Sequence, residues 1–289
     1  MDNIQSIQWF PGHMKKTERK IQESLKLVDI VAEVIDARIP ISSRNPVLDK
    51  LADSKPRIIL INKSDMADSK QTLLWMDYYN QFGIESISID CKTDRGLSNF
   101  VSKIKILLKD KIEIWKSKGI KQRNIRVMVV GVPNVGKSSF INKMAKTNKA
   151  KVEDRPGVTI GNQWFSIGNG IELLDTPGLL WPKFDDISIG EKLAFTGAIK
   201  DQILDVEHLA QRLLDVLRVK YLRLVCERYK LNENECVNLS SRELLLAIGR
   251  KRGMLVSAGE INIERAAIMI LDEFRSNKLG KITLEEAIK

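Results

Sequence analysis

The chain has 289 residues and a mass of 32.8 kDa, room for one medium domain and a smaller one. Hydrophobic residues make up 43% and charged residues 29%, a composition suited to a globular core. No apolar run approaches the roughly 18–20 residues of a membrane span, so a cytoplasmic, non-membrane protein is expected. The net charge is +10 and the pI about 9.4, an excess that points to a polyanionic partner.

In chain order, residues 14–27 are expected to form an amphipathic helix with Ile21, Leu25 and Val28 on one stripe. Nothing in MDNIQSIQWFPGHMKK resembles a secretory leader. The apolar run 29–37 (DIVAEVIDA) predicts a strand buried on both faces. A short helix near 46–53, a buried strand over 57–62, a helix over 69–82 and a strand over 85–90 follow. Residues 96–118 predict one long basic helix with Leu97, Phe100, Val101, Ile104 and Leu108 inward. Residues 101–126 hold nine Lys/Arg against Asp110 and Glu113. A strand over 126–130, a helix over 137–146 and a hairpin of strands 163–168 and 171–174 around Gly168-Asn169-Gly170 continue the pattern. Alternating strands and helices imply a mostly parallel sheet covered on both faces. Beyond about residue 200 the expected elements are all helical, over 205–230, 240–250, 260–276 and 283–289. The expected division is a nucleotide-binding domain over 1–190 and a helical domain over 205–289. Cys91, Cys226 and Cys236 lack metal-ligand spacing and read as reduced, buried thiols.

Residues 131–138, Gly-Val-Pro-Asn-Val-Gly-Lys-Ser, fit G-x-x-x-x-G-K-[ST] between a strand and a helix. Such a loop aims backbone N–H groups at phosphate oxygens, and the following helix adds its positive end. Lys137 would reach the β- and γ-phosphates, and Ser138 would ligate Mg²⁺. Asn62-Lys63-Ser64-Asp65 ends the strand 57–62 and matches N-K-x-D. The Asp65 carboxylate can accept two hydrogen bonds from guanine; adenine would leave it unpaired, which is costly. Asp175-Thr176-Pro177-Gly178 matches D-x-x-G, with Asp175 toward Mg²⁺ and the Gly178 N–H toward the γ-phosphate. Thr159 is the candidate switch threonine for Mg²⁺ and γ-phosphate. Asp90-Cys91-Lys92 stands where a loop backing the base is expected, with Cys91 offering its backbone N–H. The base-reading motif precedes the phosphate loop, the reverse of small GTPases. If all these loops lie at the carboxyl ends of one sheet, a permuted chain builds the same pocket.

With these motifs in this order, and with PGHM at 11–14, DARIP at 36–40 and LLLAIGRKRGMLVSAGEINIERAAIMILDEFRSNKLGKIT toward the C-terminus, the sequence resembles the circularly permuted ribosome biogenesis GTPase A (YlqF/RbgA) family over nearly its whole length. The resemblance implies a Ras-like, circularly permuted P-loop NTPase fold (α/β) with a small all-α C-terminal domain. It implies GTP or GDP held by Asn62, Lys63, Asp65, Cys91, Lys92, Asn134, Val135, Gly136, Lys137, Ser138, Ser139, Thr159 and Gly178, with Mg²⁺ on Ser138, Thr159 and Asp175. It also implies a monomer acting late in assembly of the large ribosomal subunit, with hydrolysis stimulated by that precursor particle and the C-terminal domain on its rRNA.

Leu179 stands where many GTPases carry a water-orienting glutamine. Of the two histidines, His208 sits in a helical stretch and His13 follows Pro11-Gly12. His13 is the candidate to place the attacking water, alongside Lys137 in the catalytic set; the other readings are a helix start or an RNA-phosphate contact. In similar potassium-activated GTPases an asparagine at the position of Asn134 ligates K⁺ beside the phosphates; the alternative is that Asn134 only bonds its own loop. Arg250-Lys251-Arg252, Arg275, Lys278 and Lys281 are candidate rRNA-phosphate contacts or helix-dipole partners. Gly249, Gly253 and Gly280 read as helix terminators. Two other functional classes compete: a signalling GTPase without RNA, and an RNA-binding protein that holds GTP without turnover.

Overall fold

The computed structural model describes residues 19, 21–52, 55–120, 123–147, 152–153, 163–178, 180, 186–199, 201, 204–256 and 259–287. His13, Thr159 and Leu179, with the PGHM segment, lie outside them.

Seven strands form one sheet: β1 (Ile30–Asp36), β2 (Arg57–Asn62), β3 (Glu85–Ser88), β4 (Ile125–Val130), β5 (Val152–Glu153), β6 (Gln163–Ser166) and β7 (Ile171–Asp175), in the order β3-β2-β1-β4-β7-β6-β5. The first five in that order are parallel neighbours; β6 runs antiparallel to β7 and to β5. The junction β1–β4 therefore joins the two halves of the chain in mid-sheet. All seven residues of β1 are buried, as expected of a strand covered on both faces.

The period of two is visible in what each face touches. Ile30, Ala32, Val34, Ile58, Leu60, Val127 and Val129 belong to one large apolar cluster. Val31, Met128, Val130 and Leu174, with Ile35, Ile59 and Ile61, face the other side. That second face is covered by helical residues 21–25, by α1 (Pro46–Leu51) and by α2 (Ser69–Gln81) through Ile21, Leu25, Leu48, Trp75 and Tyr79. The first face is covered by α3 (Ser98–Leu107), α4 (Lys109–Ser117) and α5 (Lys137–Thr147), through Phe100, Ile104 and Phe140.

The expected helix over 96–118 is two helices. The chain steps at Leu108 (φ −106°, ψ 16°), and both Leu108 and Trp115 are buried as a result. Trp115 then lies under the Arg123 guanidinium, 4.4 Å from its ring centre.

The remaining helices are α6 (Ile187–Phe195), α7 (Val206–Lys220), α8 (Leu222–Tyr229), α9 (Glu233–Cys236), α10 (Ser241–Lys251) and α11 (Ile263–Arg275). The large apolar cluster runs from the sheet into them without a break, through Leu193, Phe195, Leu213, Ile248, Ile270 and Phe274. The expected helix over 205–230 breaks at Tyr221, whose hydroxyl donates to the Thr283 carbonyl (3.0 Å) and accepts from the Thr283 N–H (3.2 Å). The expected helix over 283–289 is absent through residue 287. Its Leu284 N–H bonds the Arg38 carbonyl, and the Ile282 N–H just before it bonds the Met66 carbonyl. Gly249 does not terminate a helix. It lies buried inside α10, where a Cβ would meet Ile261 Cγ2 at 2.6 Å.

Candidate functional site

The loops that leave the parallel strands share one edge of the sheet. Residues 36–38 follow β1, 62–65 follow β2, 90–92 follow β3, 131–138 follow β4 and 175–178 follow β7. Carboxyl ends of parallel strands are where open α/β sheets hold ligands.

The phosphate loop turns tightly between β4 and α5. A side chain at Gly131 would strike the Val34 carbonyl at 2.6 Å, because β1 runs alongside. Gly136 has φ +93°, and a Cβ there would lie 2.3 Å from Asn62 Nδ2; backbone angle and space both demand glycine. Asn134 also adopts a left-handed backbone, φ +63°. Val132, Pro133, Asn134, Gly136, Lys137, Ser138, Ser139 and Gly178 line a cavity of about 360 Å³. Gly178 rests on Pro133, with its missing Cβ 3.2 Å from the Pro133 nitrogen. The Thr176 hydroxyl donates to the Val129 carbonyl (2.7 Å), fixing the 175–178 loop to β4. Lys137 is paired with Asp175 inside this cleft.

The base-reading motif is bonded directly to the phosphate loop. Asn62 Nδ2 donates to the Val135 carbonyl (2.8 Å). Lys63 Nζ donates to the Asn134 carbonyl (2.6 Å) and pairs with Asp36 (3.1 Å). The Cys91 N–H donates to Asn62 Oδ1 (3.3 Å), and the Ser64 hydroxyl reaches the Ile89 carbonyl (3.0 Å). Asn62 thus links three loops, from both halves of the chain, through one amide. In the 90–92 loop, Asp90 accepts from the Lys92 N–H (2.7 Å) and from the Thr93 hydroxyl.

The titration behaviour fits these placements. Among the described residues, no other residue donates a hydrogen bond to the Asp65 carboxylate. Partial burial, then the nearby Asp90 charge, hold its pKa above the ordinary carboxylate value. Burial, with Asp90 and Asp94, pushes the Cys91 thiol up to about 12; it stays protonated and offers the site its backbone, not a thiolate. Asp36 is buried, which pushes its pKa up, but Arg38 and Lys63 outweigh burial and hold it well below the usual range.

Comparison with known proteins places this geometry. A family model described as 50S ribosome-binding GTPase matches residues 126–248. Ribosome biogenesis GTPase A of Priestia megaterium is 48% identical over 282 residues, 97% of each chain. The protein of that name from Thermotoga maritima is 33% identical, covering 96% of this chain and 94% of its own. Mitochondrial ribosome-associated GTPase 1 of Mus musculus is 34% identical, over 97% and 90%. Among solved structures, GDP-bound YlqF from T. maritima superposes with a TM-score of 0.67 at 30% identity, covering 93% of this chain and 99% of that one. The GNP-bound form gives 0.65 at 29%, over 94% and 98%.

The chain belongs to the ribosome biogenesis GTPase A family. It is accordingly a guanine-nucleotide-binding, GTP-hydrolysing protein on a circularly permuted P-loop α/β fold. For this family member the structure brings Asn62, Lys63, Asp65, Cys91 and Lys92 to one sheet edge with Asn134, Val135, Gly136, Lys137, Ser138, Ser139, Asp175 and Gly178. Of the two readings of Arg275, the structure bears on the structural one: its guanidinium bonds Asp201 (2.6 and 2.7 Å) and the Ala194 and Phe195 carbonyls at the end of α6 (2.8 and 3.0 Å). Arg250 and Lys251 are exposed, as are Lys278 and Lys281. His208 is exposed in the first turn of α7, where its N–H bonds the Asp205 cap.

Several residues of the site's support are given no role by the sequence reading, although Asp36 and Arg38 lie in DARIP. The Arg38 guanidinium grips Asp36 with two bonds (2.9 and 2.7 Å), donates to the Phe274 carbonyl (3.2 Å) and lies 5.1 Å from the centre of the Phe274 ring. Glu285 accepts from Ile41 N–H, Ser42 N–H and the Ser42 hydroxyl, and pairs with Lys192. Besides the DARIP string, an acidic residue inside the buried run at 36 is a sequence cue: a carboxylate there needs a cation.

Proposed function

We propose that this GTPase binds the precursor of the large ribosomal subunit in its GTP state and hydrolyses GTP to promote a late assembly step. Turnover is stimulated by the particle, and the protein works as a cytoplasmic monomer whose helical unit, 205–289, meets rRNA. The observation that carries the GTPase half is the pair of bonds Asn62–Val135 and Lys63–Asn134, which fuses base reader and phosphate loop into one cradle. The ribosomal half draws on the relatives' names and on the +10 charge.

In the proposed complex, Asp65 accepts the guanine ring N–H and amine, and the Lys63 stem lies along the base. Cys91 and Lys92 back it. The 134–139 backbone, with Gly178, faces the phosphates, and Lys137 turns from Asp175 to them. The residues present suit Mg²⁺: Ser138 and Asp175 are hard oxygen donors at one cleft, and among the described residues no cluster of three His, Cys, Asp or Glu could hold a metal by itself. An ion held by two such protein donors would take its remaining ligands from phosphate and water. Thr159 completes this set in the proposal. Bound Mg²⁺ would neutralise charge on the transferred phosphoryl group. Asn134 already spends Nδ2 on the Thr196 carbonyl (2.8 Å), which leaves Oδ1 as the donor for K⁺. Lys137 and the loop amides stabilise the developing negative charge, and His13 positions the water.

Co-sedimentation with large-subunit precursors, under GDP and under a non-hydrolysable GTP analogue, tests the reading. Salt-sensitive binding only with the analogue, together with particle-stimulated phosphate release, is expected. Equal binding in both states would remove the switch.

A further inference from the structure

The base-reading loop is held from behind by the C-terminal end of the chain. Asn277 Nδ2 donates to the Asp65 carbonyl (3.3 Å), across 212 residues of sequence. Ile282 N–H donates to the Met66 carbonyl (3.0 Å). The Asp68 N–H donates to the Thr283 hydroxyl (3.0 Å). Three bonds from one seven-residue strap therefore fix the backbone of Asp65, Met66 and Asp68, at the base-reading residue and within the three residues after it.

Asn277 is notable for what it does not do. Its Oδ1 is buried without a hydrogen-bond partner, and it sits in a left-handed backbone, φ +64°. Among the described residues, the bond that side-chain amide makes goes to the Asp65 carbonyl. The left-handed angle closes α11, where the Lys278 N–H bonds the Glu273 carbonyl (2.8 Å), and it aims the Asn277 amide at the base loop; the unpaired carbonyl costs free energy, which the bond to Asp65 offsets in part. The Asp65 carboxylate itself takes no hydrogen bond from another described residue, so the placing of its backbone bears directly on where it points.

We propose that Asn277 and Thr283 are positioning residues for base recognition: from the C-terminal unit they hold the Asp65 backbone so that its carboxylate faces both the ring N–H and the 2-amino group of guanine. The proposal rests on Asp65 reading the base. Its effect falls on discrimination, because a carboxylate turned aside loses two bonds with guanine but only one with hypoxanthine, which lacks the amine.

The test is calorimetric binding of GDP and IDP to the full-length chain and to Asn277→Gly, Thr283→Val, Thr283→Ser and Asp65→Asn. Glycine suits the left-handed backbone at 277, so Asn277→Gly removes the amide without straining the fold. Asn277→Gly and Thr283→Val are each expected to weaken GDP binding about fivefold, the weight of one hydrogen bond, and to weaken IDP less. Thr283→Ser, which keeps the hydroxyl, is expected to restore the wild-type ratio. GDP and IDP weakening by the same factor would mark a merely structural role and overturn the proposal, as would unchanged binding in both strap variants beside an Asp65→Asn that has lost its guanine preference. An Asp65→Asn that keeps that preference would remove the base assignment itself.

Discussion

Gly136 concentrates the site's demands on one residue. Its φ of +93° is strained for any residue with a Cβ, and Asn62 Nδ2 stands 2.3 Å from where that Cβ would lie. Gly136→Ala should cost on the order of 1–3 kcal/mol from backbone strain alone and push away the amide that links three loops. Loss of GDP binding with a retained, lower melting transition is the expected result; unchanged GDP affinity would contradict the linkage. Asp65 carries a second consequence. Only its ionised form accepts both guanine bonds, and burial with Asp90 raises its pKa. Guanine affinity should therefore fall, as pH is lowered, at a pH above the ordinary Asp value of about 3.9. Asp90→Asn should move that fall to lower pH, read by GDP binding across an acid series.

At the scale of an element, the turn after β1 joins three structures through Asp36. It holds Arg38 against Phe274 of α11 and Lys63 against the phosphate loop. Its folded-state pKa is depressed, so between that value and the unfolded one the native state binds fewer protons than the unfolded chain. The stability from this group is present above the ordinary carboxylate pKa, about 3.9, and is lost as pH falls below it. Asp36→Asn should flatten the acid limb of the stability–pH curve, measured by urea unfolding, while lowering stability near neutrality because Arg38 is left buried and unpaired. The helix breaks at Leu108 and Tyr221 belong here too. Propensity favours continuing each helix, but burying Trp115 and bonding Tyr221 to Thr283 favour the step. Tertiary contacts outweigh local preferences of a few tenths of a kcal/mol per residue.

For the whole molecule, the strap and α11 close the C-terminal unit onto the nucleotide-binding sheet. Glu285 carries much of that closure, serving Ile41 N–H, Ser42 N–H and the Ser42 hydroxyl while pairing Lys192. Glu285→Ala leaves the buried Ser42 N–H and hydroxyl, and the part-buried Ile41 N–H, without that acceptor. A loss of about 2–3 kcal/mol and a fall in melting midpoint of roughly 4–10 °C are expected by calorimetry; a shift under 1 °C would show that water replaces the carboxylate at no cost.

What the sequence determined by itself was chemistry carried by contiguous residues. The phosphate loop, the N-K-x-D tetrad, the D-x-x-G turn and the buried parallel strands are local strings, and their order along the chain shows the permutation, because backbone angle, charge and unbroken apolar runs are written within a few residues of one another. What only the tertiary structure decided was pairing at a distance. Asn62 with Val135, Arg38 with Phe274, Arg275 with Asp201, Glu285 with Ser42 and Asn277 with Asp65 join residues far apart along the chain, as does the extended path of residues 281–287. A lone polar side chain has many possible partners, and only the packing of the surrounding apolar surfaces selects the one it can reach.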